Sequence, residues 1–250
     1  HDLLARVPAP GPGVVVYLGC GPGAMTEQLS QRWPFAKVLG IDSAKEMIDA
    51  AAGREERGRL EFVFADLREW EPFGPVDVLV SNAALHWVPD HLDLLPRWVD
   101  WLAPGGWLAL QVPGTFDAPV HTIMRDVASR PAYAPHLERA GLKDGEGQPG
   151  AVPSPLEYAG VLAEAGTVVD AWETTYLHIL DPGGELGDDA VLAWARGTLL
   201  RPVLNALADQ PEVREAFVED YAEELREAYP RRPWGTPLPY RRIFAVAGKP

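Results

Sequence analysis

The chain has 250 residues, a formal net charge of −14 at pH 7, and a hydrophobic fraction of 47%. That length can bury one sizeable core, so we expect a single α/β domain over residues 1–250. The negative charge argues against nucleic acid or an anionic membrane surface as a partner, because a phosphate-rich surface would be repelled, and it favours small ligands.

Several classes of protein are unlikely from composition alone. No apolar run approaches the roughly 20 residues that cross a bilayer, and nothing at the start resembles a signal peptide. We therefore expect a soluble, cytoplasmic protein. The single cysteine, Cys20, excludes an intramolecular disulfide and a zinc site of the usual multi-cysteine kind. We expect no metal.

Short apolar runs alternate with helical patterns along the first half of the chain. The runs begin at Val14, Lys37, Arg59, Val76 and Trp107, the last after a predicted turn, APGG. This alternation is typical of βαβ units with a parallel sheet. With further strand candidates at 167–179 and 243–247, it predicts a Rossmann-like, seven-stranded, doubly wound sheet whose cofactor-binding half spans residues 14–112.

Two segments do not fit the alternation. Residues 130–155 are rich in proline and glycine, which predicts a mobile surface loop. Residues 188–229 are helical in pattern and lie between the last two strands, so we expect a helical cap over the carboxyl edge of the sheet. In that segment the apolar side chains have the spacing of one buried helical stripe, at Val213, Phe217, Tyr221 and Leu225.

A glycine-rich motif, YLGCGPG at residues 17–23, separates the first strand from the first helix of the alternation. Glycine suits a tight turn whose backbone touches a ligand, and we expect free amides at the helix start to face that ligand. Gly19, Gly21 and Ala24 also satisfy the G-x-G-x-x-G/A pattern of dinucleotide binders. A nicotinamide-dependent oxidoreductase therefore stays open as an alternative.

Acidic residues follow the second and third strands. Asp42 suits hydrogen bonding to two ribose hydroxyls, whichever cofactor binds. Asp66 can accept a hydrogen bond from the exocyclic amine of adenine while the backbone amide of Leu67 serves the ring. A helix N-cap is the competing interpretation of Asp66, because Asp-Leu-Arg-Glu fits a capping box.

Three further candidates follow the fourth strand, where a ligand at the switch point of the sheet would meet the chain. Asn82 can support a cationic amine through its carbonyl. His86 and Trp87 are expected at the rim of the site, with ordinary packing of a short turn as the competing interpretation, which is the stronger one for His86.

The order of these pieces resembles the class I S-adenosylmethionine-dependent methyltransferases. Within that family the phrases LGCGPG, GIDSAKEMI, SNAALHWVPDH, WETTYLHIL and LPYRRIFAVA are similar to those of the trans-aconitate methyltransferases. The resemblance implies that S-adenosylmethionine is the cofactor and that it is bound by Gly19, Gly21, Gly23, Asp42, Ser43, Asp66, Leu67 and Asn82. One position departs from the family: Tyr17 stands where its motif has an acidic residue.

The resemblance also implies a small polycarboxylate substrate, trans-aconitate or a relative, methylated on one carboxylate. A carboxylate is already ionised at neutral pH, since its unperturbed pKa is about 4, so we expect no general base. Arginines are needed for the remaining carboxylates. Neighbours in a strand point to opposite faces, so Arg241 and Arg242 cannot both face the substrate. The resemblance favours Arg242 together with Arg201.

Tyr176 and His178 lie two apart in a predicted strand and so share one face. We expect them to donate hydrogen bonds in the substrate pocket, with packing under the cap as the alternative. The sequence leaves two other hypotheses open. The protein could methylate a different small acid, or it could bind ligands without catalysis, which only Tyr17 supports.

Overall fold

The computed structural model describes residues 2–142 and 152–250. Its strands form one seven-stranded sheet in the order β3-β2-β1-β4-β5-β7-β6, and this confirms the predicted fold class. The strands are β1 (Val14–Leu18), β2 (Lys37–Asp42), β3 (Leu60–Phe64), β4 (Val76–Asn82), β5 (Leu102–Pro113), β6 (Val168–Leu180) and β7 (Thr236–Gly248). The α-helices are α1 (Asp2–Ala5), α2 (Ala24–Arg32), α3 (Lys45–Ala51), α4 (Leu95–Trp101), α5 (Pro119–Ala128), α6 (Ala134–Arg139), α7 (Pro155–Glu164), α8 (Ala190–Arg196), α9 (Arg201–Ala206) and α10 (Pro211–Ala228). In the described ranges no helix is both long and apolar enough to cross a membrane.

The switch point of the sheet lies between β1 and β4. β1 pairs in parallel with β2 on one side and with β4 on the other, while β2 continues to β3 and β4 to β5. Val15, Val16 and Leu18 are fully buried, as expected for a parallel strand covered on both faces. Ligands bind outside the carboxyl ends of strands at such a point, so the loops after β1 and β4 are where a site is expected.

The chain divides into two compact units. Unit 1 comprises His1–Pro113, Pro153–Thr174 and Ile243–Pro250, and unit 2 comprises Gly114–Val152 and Thr175–Arg242. β6 and β7 each contribute residues to both units. The single-domain organisation over residues 1–250, with its cofactor-binding half at 14–112, stays a prediction.

The APGG segment, predicted as a turn before the strand, lies inside β5. The register of β5 against β4 is interrupted after Leu102, which pairs with Val76, and resumes at Trp107, so residues 103–106 form a bulge. Gly105 has a φ of +76°, which glycine adopts without strain. The two glycines therefore lie in a β-bulge within β5 and not in a turn before it.

Unit 2 has its own apolar core, and the helices predicted within residues 188–229 are present as α8, α9 and α10. Phe217, Tyr221 and Leu225 on α10 are buried and Val213 packs against them, as the spacing predicted. The hydroxyl of Tyr221 donates to the backbone oxygen of Val120 on α5 at 2.8 Å. That these helices cap the sheet stays a prediction.

The predicted loop at residues 130–155 contains a helix. α6 forms there because Tyr133 and Leu137 are buried in the core of unit 2. Residues 143–151 of the predicted loop lie outside the described residues, and the mobility of the segment stays a prediction.

Candidate active site

A cavity of about 410 Å³ in unit 1 is lined by the segments that follow β1 to β4, a size typical of small-molecule sites. Its lining residues are Gly19, Gly21, Asp42, Ser43, Ala65, Asp66, Leu67, Arg68, Ala83, Ala84, Trp87, Val88 and Pro89. The structure thus brings seven of the predicted residues together, namely Gly19, Gly21, Asp42, Ser43, Asp66, Leu67 and Trp87. Gly23, Asn82 and His86 do not line the cavity.

Gly19 and Gly21 serve the cavity in different ways. Both have a positive φ, +74° and +54°. A Cβ on Gly19 would lie 2.2 Å from the Cβ of Ala84, so glycine allows the loop after β1 to approach the loop after β4. A Cβ on Gly21 would meet no atom within 4 Å, which leaves open space at the cavity wall. The loop therefore fits a ligand that contacts the backbone.

Three amides of this loop are satisfied within the protein, whereas the free amides expected at the helix start belong to the first residues of α2 and stay a prediction. The backbone N–H groups of Gly19 and Cys20 donate to the oxygen of Ile41 at 2.8 and 2.9 Å. The N–H of Gly21 donates to Oδ2 of Asp42 at 2.8 Å. Acceptors at the end of β2 therefore satisfy these three donors. The loop can still let a ligand approach its backbone closely.

Asp42 keeps acceptor capacity for a ligand. Its Oδ2 accepts from Gly21 and its Oδ1 accepts from the N–H of Ala44 at 2.9 Å. A carboxylate has roughly four lone-pair sites, so about half remain for other donors. Hydrogen bonding of Asp42 to ribose hydroxyls stays a prediction.

Asp66 is engaged by Arg68, a residue that the sequence analysis missed. Nε of Arg68 lies 3.0 Å from both carboxylate oxygens of Asp66, and Nη2 donates to Oδ2. The Arg68 hydrogen bonds hold the pKa of Asp66 below its usual value. Asp66 begins a turn and not a helix, so the helix-cap interpretation is wrong. The sequence did contain a signal for this ion pair, because Arg68 follows Asp66 by only two positions.

Tyr17 links the ends of β1 and β4. The residue is 3% exposed, and its hydroxyl donates to the backbone oxygen of Asn82 at 3.3 Å. Burial, opposed by the side chain of Asn82 and reinforced by the nearby Cys20 and Asp42, raises the pKa of Tyr17 to about 12. Tyr17 is therefore a neutral donor at physiological pH, where the resemblance led us to expect an acid.

The remaining predicted residues near this site have packing roles or lie at its rim. A Cβ on Gly23 would lie 2.6 Å from Cζ of Phe62, so Gly23 lets the start of α2 pack against β3. The rings of His86 and Trp87 are neighbours with centroids 5.1 Å apart. Trp87 is 58% exposed and lines the cavity.

A buried histidine supports one wall of the cavity. Nδ1 of His91 donates to the backbone oxygen of Val88 at 3.0 Å, and the hydroxyl of Tyr158 lies 2.6 Å from Nε2. Burial lowers the pKa of His91, which favours the neutral ring that this pair of hydrogen bonds requires. No pattern in the sequence distinguished this pair.

Of the predicted substrate residues, His86 and Trp87 lie in unit 1, and the other four lie in unit 2, namely Arg201, Arg242, Tyr176 and His178. The guanidinium carbon of Arg242 is 5.8 Å from the ring centroid of Tyr176 and 5.1 Å from that of Tyr240. His178 meets Tyr240 edge to face at 5.6 Å. Arg242 and His178 thus both contact Tyr240, a residue that the sequence analysis missed, and Arg242 also contacts Tyr176. Arg201 is exposed at the first residue of α9.

Metal-ligating side chains do not cluster in the part of the chain that the structure describes. There, no group of three or more His, Cys, Asp or Glu residues is arranged to hold an ion.

Known proteins resemble this chain along its whole length. A methyltransferase domain family matches residues 15–106. A trans-aconitate 2-methyltransferase from Streptomyces coelicolor is 50% identical over 255 residues, covering 100% of this chain and 81% of the relative. One from Rhodococcus jostii is 50% identical over 248 residues, covering 99% and 92%. The solved structure of a putative methyltransferase from Bacillus halodurans has a TM-score of 0.60 at 16% identity, covering 100% of this chain and 97% of that one, which supports the fold. The chain belongs to the trans-aconitate 2-methyltransferase family of S-adenosylmethionine-dependent methyltransferases.

Proposed function

We propose that this chain transfers a methyl group from S-adenosylmethionine to one carboxylate of trans-aconitate, or of a closely related small polycarboxylate, and forms the monomethyl ester. The observation that carries the proposal is the 50% identity along the full chain to relatives of that name. A match limited to residues 15–106 would leave the methyl acceptor open. The relatives also match the segments in which the acceptor-binding arginines are expected.

The cavity of unit 1 suits the cofactor. The open side of Gly21 accommodates a ligand against the backbone, and Asp42 retains acceptor capacity for ribose hydroxyls. Asp66 and the amide of Leu67, which also line the cavity, would hold adenine. When bound, S-adenosylmethionine supplies an electrophilic methyl group on a sulfonium sulfur.

The chain's contribution to the reaction is binding and orientation. A carboxylate is ionised near neutral pH, because its unperturbed pKa is about 4, so no side chain has to remove a proton. Alignment of the nucleophile and removal of water from it are the remaining tasks. Trp87, more than half exposed at the cavity, provides an apolar surface for the second task.

Arginines of unit 2 would bind the carboxylates that do not react. Arginine pairs with a carboxylate through two parallel hydrogen bonds, which fix orientation as well as charge. Arg242 lies over the rings of Tyr176 and Tyr240, and such contacts restrain a guanidinium. Arg201 would be the second cation that binds the substrate. Tyr176 and His178 would donate hydrogen bonds to the substrate.

The oxidoreductase alternative loses its support. Its only basis was the glycine pattern shared by dinucleotide binders, and the chain belongs to a methyltransferase family instead. Methylation of a different small acid is an outcome that the following experiment distinguishes.

Steady-state kinetics with a panel of acids tests the proposal. We expect trans-aconitate to be preferred over cis-aconitate, citrate and isocitrate. Arg201→Ala and Arg242→Ala should each lower kcat/KM, mainly through KM. A hydrogen bond to a charged group contributes about 1.5–3 kcal/mol, which corresponds to a loss of about 10- to 150-fold.

Arg139→Ala is the matched control, since it removes one exposed positive charge from unit 2. The Nε of Arg139 donates to the backbone oxygen of Pro135, and its Nη2 lies 3.4 Å from Nδ1 of His136, both in the same helix. This variant should keep the kinetics of the parent chain. Preference for another acid would refute the substrate, and equal losses in all three variants would refute the specific roles of Arg201 and Arg242.

A further inference from the structure

The two acids of the cavity differ in how much acceptor capacity they have left. Asp42 accepts one backbone amide on each oxygen, from Gly21 and Ala44. Asp66 accepts the backbone N–H of Arg68 at 2.9 Å and Nε at 3.0 Å on Oδ1, and Nε at 3.0 Å and Nη2 on Oδ2. The single Nε–H is shared between the two oxygens, so three N–H donors occupy the Asp66 carboxylate and leave about one of its roughly four lone-pair sites, against about two at Asp42.

We propose that Arg68 competes with the adenine amine for Asp66 and thereby weakens retention of the cofactor and of its product, adenosylhomocysteine. The inference rests on the proposed function, because it takes Asp66 as the acceptor for adenine. A ribose can reach Asp42 without displacing any contact. An adenine amine has to share the Asp66 carboxylate with the Arg68 guanidinium, which contacts both of its oxygens.

The geometry allows the Arg68 side chain to leave while the backbone stays in place. The turn is held by the N–H groups of Glu69 and Trp70, which donate to the oxygen of Asp66 at 3.0 and 2.8 Å. The backbone oxygen of Arg68 accepts from Nη2 of Arg97. The side chain of Arg68 is 59% exposed, whereas that of Asp66 is 28% exposed. Water can therefore solvate the displaced guanidinium.

The size of the effect follows from the exposure of the pair. Exposed ion pairs are weak, so their replacement changes an affinity by up to about fivefold. Removing the guanidinium should therefore tighten binding of adenosylhomocysteine by about two- to fivefold, because Asp66 becomes a free carboxylate acceptor. The same pair is screened by salt, so the advantage of the variant should shrink as ionic strength rises.

Calorimetric titration with adenosylhomocysteine tests the inference in the full chain. Arg68→Gln should bind more tightly than the parent chain by that factor. Arg57→Gln is the charge-matched control, an exposed arginine of unit 1 outside the cavity lining, and should bind like the parent chain. In an Asp66→Asn background, Arg68→Gln should have no further effect.

A second ligand separates competition from a general gain in affinity. Inosylhomocysteine has a carbonyl oxygen in place of the exocyclic amine and so presents no donor to Asp66 at that position, and Arg68→Gln should not tighten its binding. Weaker or unchanged binding of adenosylhomocysteine by Arg68→Gln would overturn the inference and leave the proposed cofactor intact. Absence of binding in every chain, including the parent, would overturn both.

Discussion

Alanine substitutions at Gly21 and Gly23 should separate ligand binding from stability, although the two glycines lie two positions apart. Both have a positive φ, +54° and +83°. An L side chain in that left-handed region costs about 1–2 kcal/mol. At Gly21 the added methyl meets no atom within 4 Å, so the backbone term is the whole effect on stability.

At Gly23 a steric clash adds to the backbone cost in the free energy of unfolding. The methyl would lie 2.6 and 2.8 Å from Cζ and Cε1 of Phe62 and 3.0 Å from Cβ of Ala51. Overpacking of this kind costs about 1–3 kcal/mol. We therefore expect Gly23→Ala to lower the free energy of unfolding by about 2–5 kcal/mol, and Gly21→Ala by about 1–2 kcal/mol.

Binding should show the opposite ranking. Gly21 lines the cavity, so its added methyl occupies ligand space and should weaken adenosylhomocysteine binding by about 5- to 150-fold, the equivalent of 1–3 kcal/mol of steric cost. Gly23 does not line the cavity. Urea denaturation and calorimetric titration measure both quantities. Normal affinity in Gly21→Ala, or equal stability of the two variants, would refute the assignment.

Three further predictions concern buried polar groups. Tyr17→Phe removes the donor to the oxygen of Asn82 and should lower the free energy of unfolding by about 0.5–1.5 kcal/mol in urea; unchanged stability would contradict that contact. Tyr158→Phe leaves Nε2 of His91 without its partner and should cost about 1–3 kcal/mol, measured in the same way, with a smaller loss in a variant that also carries His91→Phe. Burial lowers the pKa of His121 to about 4. Because the unfolded chain protonates near pH 6.5, His121 should remove up to about 3 kcal/mol of stability as pH falls from about 6.5 to 4, and His121→Gln should reduce this slope; an unchanged slope would contradict the assignment.

The sequence predicted the part of the fold that depends on short-range patterns. Apolar runs such as Val14–Leu18 read as buried parallel strands because both of their faces are covered. The glycine motif and the acids after β2 and β3 follow these strands directly, so the sheet carries them to the same edge. Seven of the predicted residues could therefore be placed at the cavity without knowledge of the tertiary structure.

What the sequence could not show depends on contacts between distant segments. The bulge of β5 is visible only in its register against β4. α6 is stabilised by burial of Leu137 in the core of unit 2, which local proline and glycine content does not reveal. The loop amides are satisfied by Ile41 and Asp42, and this pairing requires the end of β2 to lie beneath the loop.

Transfer of a radiolabelled methyl group from S-adenosylmethionine to trans-aconitate, with the product identified by mass spectrometry, tests the central claim most directly. We expect a monomethyl ester of trans-aconitate, formed together with one equivalent of adenosylhomocysteine. Binding of adenosylhomocysteine without any transfer to trans-aconitate would contradict it.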